Sequence, residues 1–143
     1  MAFSNSPAPP ESGIVVLVVS PSGDVLPSLR GALPSNWTLY IASDVAEAKH
    51  ILCQTSIPVI LCDSELPDGN WKDLLAEAAG IQSPPLIIVI SRLADEHLWA
   101  DVLSLGGYDL LAKPINPVEF IQVISMAWRR WKSGTHAEGH AAG

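Results

Sequence analysis

Cysteine is scarce: the 143 residues hold two, Cys53 and Cys62. Neither stands at metal-ligand spacing, which argues against a zinc site or a disulfide framework, and both are expected to act as small buried apolar residues. Positive charge is also short, with 8 Lys and Arg against 15 Asp and Glu and a net charge of -7. Without clustered cations there is no groove for a phosphate backbone, so direct nucleic-acid binding is not expected. The longest apolar runs reach about half a dozen residues, far below the roughly 20 that cross a bilayer, so no membrane span is expected. The opening MAFSNSPAPPES lacks a charged leader region, and the protein is read as cytoplasmic. No Gly-x-Ser-x-Gly elbow and no histidine near an expected strand tip supports a hydrolase, so the chain is not read as an enzyme.

What the chain has is a hydrophobic share of 48%, enough for one compact α/β domain. Residues 1–12 are rich in Ser and Pro and are expected to be a disordered lead-in. Residues 13–132 form the expected domain, and residues 133–143 read as a flexible Gly, Ala and His tail. Its His136 and His140 sit four apart, read as solvent-facing sequence rather than a metal site.

The organising stretch is Pro58 to Leu75. Val59 to Cys62 is apolar without alternation, the mark of a strand buried on both faces, and it ends abruptly in Asp63. In open α/β sheets, ligands sit outside such strand tips. A plain turn or helix cap is the competing explanation for one aspartate. Two later runs weaken it: Leu86 to Ile90 ends in Ser91, and Tyr108 to Ala112 ends in Lys113-Pro114. An acid, a hydroxyl and an ammonium would then converge at one sheet edge, a site suited to an anion or a phosphoryl group.

The remaining elements follow in order. Ile14 to Val19 is the first strand, and a helix is expected from about Asp24 to Leu33. Asn36 to Ala42 is the second strand, with Trp37, Leu39 and Ile41 inward. Ser43 is the expected cap of a helix from Asp44 to about Gln54, with Val45, Ala48, Ile51 and Leu52 facing in. A helix from Ala94 to Leu105 should bury Leu98, Val102 and Leu105 and stop at Gly106-Gly107. Pro117 opens the last helix, which is expected to end near Lys132 with Ile121, Ile124, Trp128 and Trp131 on one face. Five strand-helix repeats with right-handed crossovers give a doubly wound (βα)5 fold.

Asp63 with Leu66-Pro67-Asp68-Gly69, Ser91, Gly106-Gly107-Tyr108-Asp109 and Lys113-Pro114, in that order, make the chain resemble a receiver domain of two-component response regulators. The resemblance covers about residues 13 to 132. It implies a flavodoxin-like five-stranded parallel sheet of order 2-1-3-4-5, with a Lys113-Pro114 bond that is commonly cis in the family. It also implies that Asp63 is the phosphoacceptor for a sensor histidine kinase and that Ser91 and Lys113 contact the phosphoryl oxygens.

The chain departs from that pattern at two places. The family's acidic pair after the first strand, which helps hold Mg²⁺, falls on Ser20 and Pro21. A site with Asp63 against Lys113 is close to neutral and lacks the surplus negative charge that recruits a hard dication, so Mg²⁺ binding is expected to be weak or absent. Glu65 and Asp24 are candidate substitutes, although each also reads as an ordinary surface acid. The second departure is Leu110, at the switch position where many receivers carry Tyr or Phe. A leucine reports movement only through packing. The expected protein is an atypical receiver acting by protein-protein contact, with residual phosphorylation still open.

For partners, the resemblance points to a sensor kinase or another signalling protein, and to dimerisation or output through the fourth helix, fifth strand and fifth helix. Trp99, Leu103, Trp128 and Trp131 are the expected anchors on that face, with core packing as the alternative for each. A rival from another class treats Ser20 to Asp24 as a phosphate cradle of an FMN-binding, flavodoxin-like electron carrier. That rival leaves Asp63, Ser91 and Lys113 unexplained.

Overall fold

The computed structural model describes residues 13–21, 23, 25–29, 31 and 33–142, with Ser28 and residues 134–142 in backbone only. The lead-in of residues 1–12 and the candidate Asp24 lie outside the described residues. The elements are β1 (Val15–Val19), α1 (Val25–Leu29), β2 (Thr38–Ala42), α2 (Val45–Gln54), β3 (Val59–Asp63), β4 (Glu65–Leu66), β5 (Gly69–Asn70), α3 (Trp71–Ala79), β6 (Leu86–Ser91), α4 (Glu96–Ser104), β7 (Asp109–Ala112) and α5 (Pro117–Ala142). The main sheet is parallel with order β2-β1-β3-β6-β7, the expected 2-1-3-4-5 once the short β4-β5 hairpin is set aside.

The apolar runs divide between two layers because successive side chains in a strand point to opposite faces. Val16, Val18, Val59, Leu61, Ile88 and Ile90 meet α1 and α5 through Leu29, Phe120 and Ile124. Leu17, Val19, Ile60, Cys62, Ile87 and Val89 meet α2, α3 and α4 through Ala48, Leu74 and Val102. A sheet covered on both sides explains why those strands show no polar alternation.

Several sequence expectations change. Helix α1 is shorter than expected, because Gly31 takes a φ of 83° that a continuing helix excludes. Asp44, not Ser43, caps α2: its backbone is extended and its carboxylate accepts the Glu47 N–H. Strand β2 lies at the sheet edge, which leaves Ile41 exposed rather than inward. In α4 the helix closes at Ser104 and Gly106 turns the chain at φ 105°, which carries Leu105 out to solvent. Cys53 is exposed, whereas Cys62 is buried as expected. The inward stripe of α5 is Phe120, Ile124, Ala127 and Trp128, a spacing that displaces Ile121 and Trp131 to its flank. The backbone of α5 continues helical to Ala142, past the expected end at Lys132; its glycines cost about 1 kcal/mol each in a helix, too little to force a break.

One long-range tie was not expected from the sequence. Asp68, at the tip of the β4-β5 hairpin, accepts the Val45 N–H at 2.9 Å and the Ala46 N–H at 3.1 Å. It therefore serves the N-terminus of α2 beside Asp44, and pins the segment that follows Asp63 to the neighbouring helix. These bonds, Val45 first, hold the Asp68 carboxyl below the usual carboxylate range. Because the folded-state value is depressed, the stabilisation is complete above the unfolded value and fades as pH falls through the folded one. Asp68→Ala should accordingly lower the melting temperature by a few degrees at neutral pH, and the gap from wild type should close in acid. A gap that persists unchanged in acid would show that the charge at Asp68 does nothing.

Candidate functional site

Register brings four polar residues to the C-terminal edge of the sheet. Val19 pairs with Cys62, Asp63 with Ile90, and Ser91 with Ala112, so Ser20, Asp63, Ser91 and Lys113 stand on adjoining strand tips. Backbone bonds extend the ladder through these tips: Ser20 N–H to the Ala42 carbonyl, Ser64 N–H to Ile90 and Lys113 N–H to Ser91. The Lys113-Pro114 peptide bond is cis.

Two donors converge on one oxygen of Asp63. Lys113 Nζ donates to Oδ2 at 2.6 Å, and Ser20 Oγ donates to the same atom at 3.2 Å. The side chains of Lys113 and Asp63 are only 7% and 14% exposed, so this is a nearly buried ion pair. Pairing with a hydrogen bond is what allows such charges to be buried at all. Ser20 is itself 7% exposed, and it holds the first of the two positions after β1 where the family pattern has acids. Pro21, the other such position, faces solvent.

Ser91 is buried, and its Oγ accepts the Leu93 N–H at 3.0 Å, which organises the loop into α4. Glu65 is exposed on β4 and lines a cleft toward α4 with His97 and Asp101. Among the described residues no three His, Cys, Asp or Glu side chains gather as a metal-holding group. The Cys62 thiol, just before the acid, is pushed far up by burial and then by the Asp63 carboxylate, which leaves it a protonated core residue.

Leu110 is partly buried against the α2, α3 and α4 side of the core, while Tyr108 packs with the opposite cluster. The four expected anchors divide. Trp99 is 48% and Leu103 39% exposed on α4. Trp128 is withdrawn into the core beside Phe120, with Lys132 Nζ 4.7 Å from its ring centre, and Trp131 is half-buried. Aromatic size alone could not distinguish anchor from core; the phase of the helix does.

A doubly wound parallel sheet that carries an acid, an amine and two hydroxyls on neighbouring strand tips defines an α/β signalling domain. The model of the response regulator receiver domain matches residues 16–125, and the chain belongs to that family, the receiver domains of two-component signalling. A curated relative is the hydrogenase transcriptional regulatory protein HoxA of Cupriavidus necator, 30% identical over 113 residues, which are 78% of this chain and 23% of that protein. The chain thus spans about a quarter of that relative's length. Among solved structures, the signal receiver domain of a putative Luxo repressor protein from Vibrio parahaemolyticus superposes with a TM-score of 0.78 at 21% identity, covering 88% of this chain and 98% of that one. The beryllofluoride-activated NtrC4 receiver domain dimer gives 0.74 at 24%, covering 82% and 98%. With the family established, the electron-carrier alternative falls away. No described helix is long and apolar enough to cross a membrane.

Proposed function

We propose that this receiver domain works chiefly as a docking platform, with phosphorylation of Asp63 weak, independent of Mg²⁺ or absent. The observation that carries this reading is the charge balance at Asp63 among the described residues: one carboxylate against one ammonium at 2.6 Å, with a hydroxyl at Ser20. A hard dication that keeps several waters still needs carboxylate ligands, and among the described residues this edge offers Asp63, already paired through Oδ2 with Lys113. The described donor set does not fit Mg²⁺.

The same balance shapes the reaction. Asp63 can attack a phosphoryl group through Oδ1 while Oδ2 stays on Lys113, but the entering anion then competes with the carboxylate for that cation. Ser91 Oγ accepts the Leu93 N–H, which leaves its own O–H to turn toward a phosphoryl oxygen. Any consequence of such movement must reach Leu110 through packing, because its side chain has no hydrogen bond to make or break. The partners that suit the reading are a sensor kinase, another signalling protein or a second copy, on the face of α4, β7 and α5 where Trp99 and Leu103 are exposed.

Incubation with acetyl phosphate, with and without Mg²⁺, followed by intact mass measurement tests this. The expected result is little adduct and no gain from the metal. A stoichiometric, Mg²⁺-dependent adduct that is absent in Asp63→Asn would overturn the proposal.

A further inference from the structure

A groove of about 600 Å³ runs between α4 and the start of α5 across β7. Its apolar lining is Ala94, Trp99, Leu110 and Ala112, and its charged lining is Asp95, Glu96 and Glu119. All three charged residues are acids and all are exposed. The Asp95 carboxylate is engaged as the cap of α4, accepting the Leu98 N–H at 2.9 Å. Neither Glu96 nor Glu119 has an ion-pair partner among the described residues. An indole at 48% exposure therefore lies in a groove of unopposed negative charge, one wall of which, Leu110, is three residues from Lys113.

Resting on the platform reading above, we infer that this groove takes an arginine-bearing amphipathic segment of a partner protein. A guanidinium is the group that satisfies both features at once. It stacks on an indole face and pairs with a carboxylate through parallel N–H donors, whereas an ammonium does the second less well. Apolar side chains on the same segment would cover Leu110 and Ala112. A second copy is the poorer occupant. A two-fold contact brings the same patch to both sides, so Glu96 and Glu119 would face their own equivalents. The chain's net charge of -7 adds to that repulsion. A nucleic acid is disfavoured by the same sign of charge.

The test uses the full 143-residue chain, labelled with nitrogen-15, and two synthetic helical peptides of identical leucine pattern. One carries arginine at every polar position and the other glutamate. The arginine peptide is expected to shift the amide signals of Leu110 and Ala112 and the Trp99 indole signal, and to bind more weakly as salt rises. Trp99→Ala and the double variant Glu96→Gln/Glu119→Gln should each weaken binding by about tenfold. Both changes lie on the surface, and unchanged signals from the β1 and β3 core verify the fold of each variant. Equal binding of the glutamate peptide, or shifts scattered over acids remote from the groove, overturns the inference. So does a concentration-dependent shift of the same signals without peptide, accompanied by dimer in sedimentation; that outcome assigns the groove to a second copy and leaves the platform reading standing. A Mg²⁺-dependent phosphoryl adduct strikes the platform reading alone, because the peptide shifts are read on the unphosphorylated chain.

Discussion

Asp63→Asn is expected to destabilise this protein by about 3 kcal/mol, the lower end of the cost of removing one member of a buried ion pair. For a domain of this size that corresponds to a fall of about 10 °C in melting temperature. The substitution strips Lys113, itself 7% exposed, of a carboxylate 2.6 Å away and puts a neutral amide in its place. Lys113→Met should cost a similar amount, since it leaves the Asp63 carboxylate with the Ser20 hydroxyl at 3.2 Å as its nearest donor. The double change Asp63→Leu with Lys113→Met should recover most of either loss, because no charge is then left behind in the interior. The sign is the informative part. In a site where several acids crowd one lysine, deleting an acid relieves repulsion and stabilises the fold. Among the described residues one acid faces one amine here, so the same deletion is expected to destabilise. Urea melts of the four proteins give both the single costs and their coupling. An Asp63→Asn variant as stable as wild type, or more so, would refute the charge balance on which the proposed function stands.

The sheet was legible because burial on both faces leaves so little freedom. A central parallel strand must be apolar at every position, so the places where Val59–Cys62 and Leu86–Ile90 meet Asp63 and Ser91 stand out without any knowledge of the fold, whereas β7, at the sheet edge and carrying Asp109, is marked by the Lys113-Pro114 that follows it. Helix phase was harder to read. In α5 both Ile121 and Phe120 fit an apolar stripe, and the packing of the core, with the Trp37 ring 6.2 Å from that of Phe120, buries the latter fully and leaves Ile121 partly exposed. Trp128 then follows Phe120 inward and leaves the outer face. The edge position of β2 exposed Ile41 for a comparable reason, since alternation gives the two faces of a strand but not which of them another layer covers. The contacts of Ser20 and Asp68 were beyond the sequence altogether. Each spans a separation, 43 residues to Asp63 and 23 to Val45, over which no local pattern operates. The absence of acids after β1 is plain in the chain, but it is the fold that brings the Ser20 hydroxyl to donate to Asp63.

Restoring the two acids should convert the site. Ser20→Asp with Pro21→Asp places two carboxylates beside Asp63, one of them where a hydroxyl now lies 3.2 Å from Oδ2. Three acids against Lys113 carry a surplus negative charge, so without metal the variant should be less stable than wild type by about 2 kcal/mol through like-charge repulsion at short range. That same surplus is what recruits a hard dication. Mg²⁺ should therefore raise the melting temperature of the variant and leave wild type unmoved. With a dissociation constant on the order of 1 mM, about 10 mM Mg²⁺ returns about 1.4 kcal/mol, most of what the added acids took away. Acetyl phosphate with Mg²⁺ should then yield an adduct on Asp63 at least about tenfold faster than in wild type, since the dication supplies positive charge that Lys113 alone must otherwise divide between carboxylate and phosphoryl group. The two readouts protect each other. A variant that misfolds fails to gain stability from Mg²⁺, whereas one that binds the metal but gains no adduct locates the defect in the placement of Ser91, whose Oγ accepts the Leu93 N–H, rather than in the charge at the strand tips. If instead Mg²⁺ stabilises wild type as much as the variant, then Asp63 and Ser20 suffice for the metal and the exposed Pro21 position is irrelevant to it.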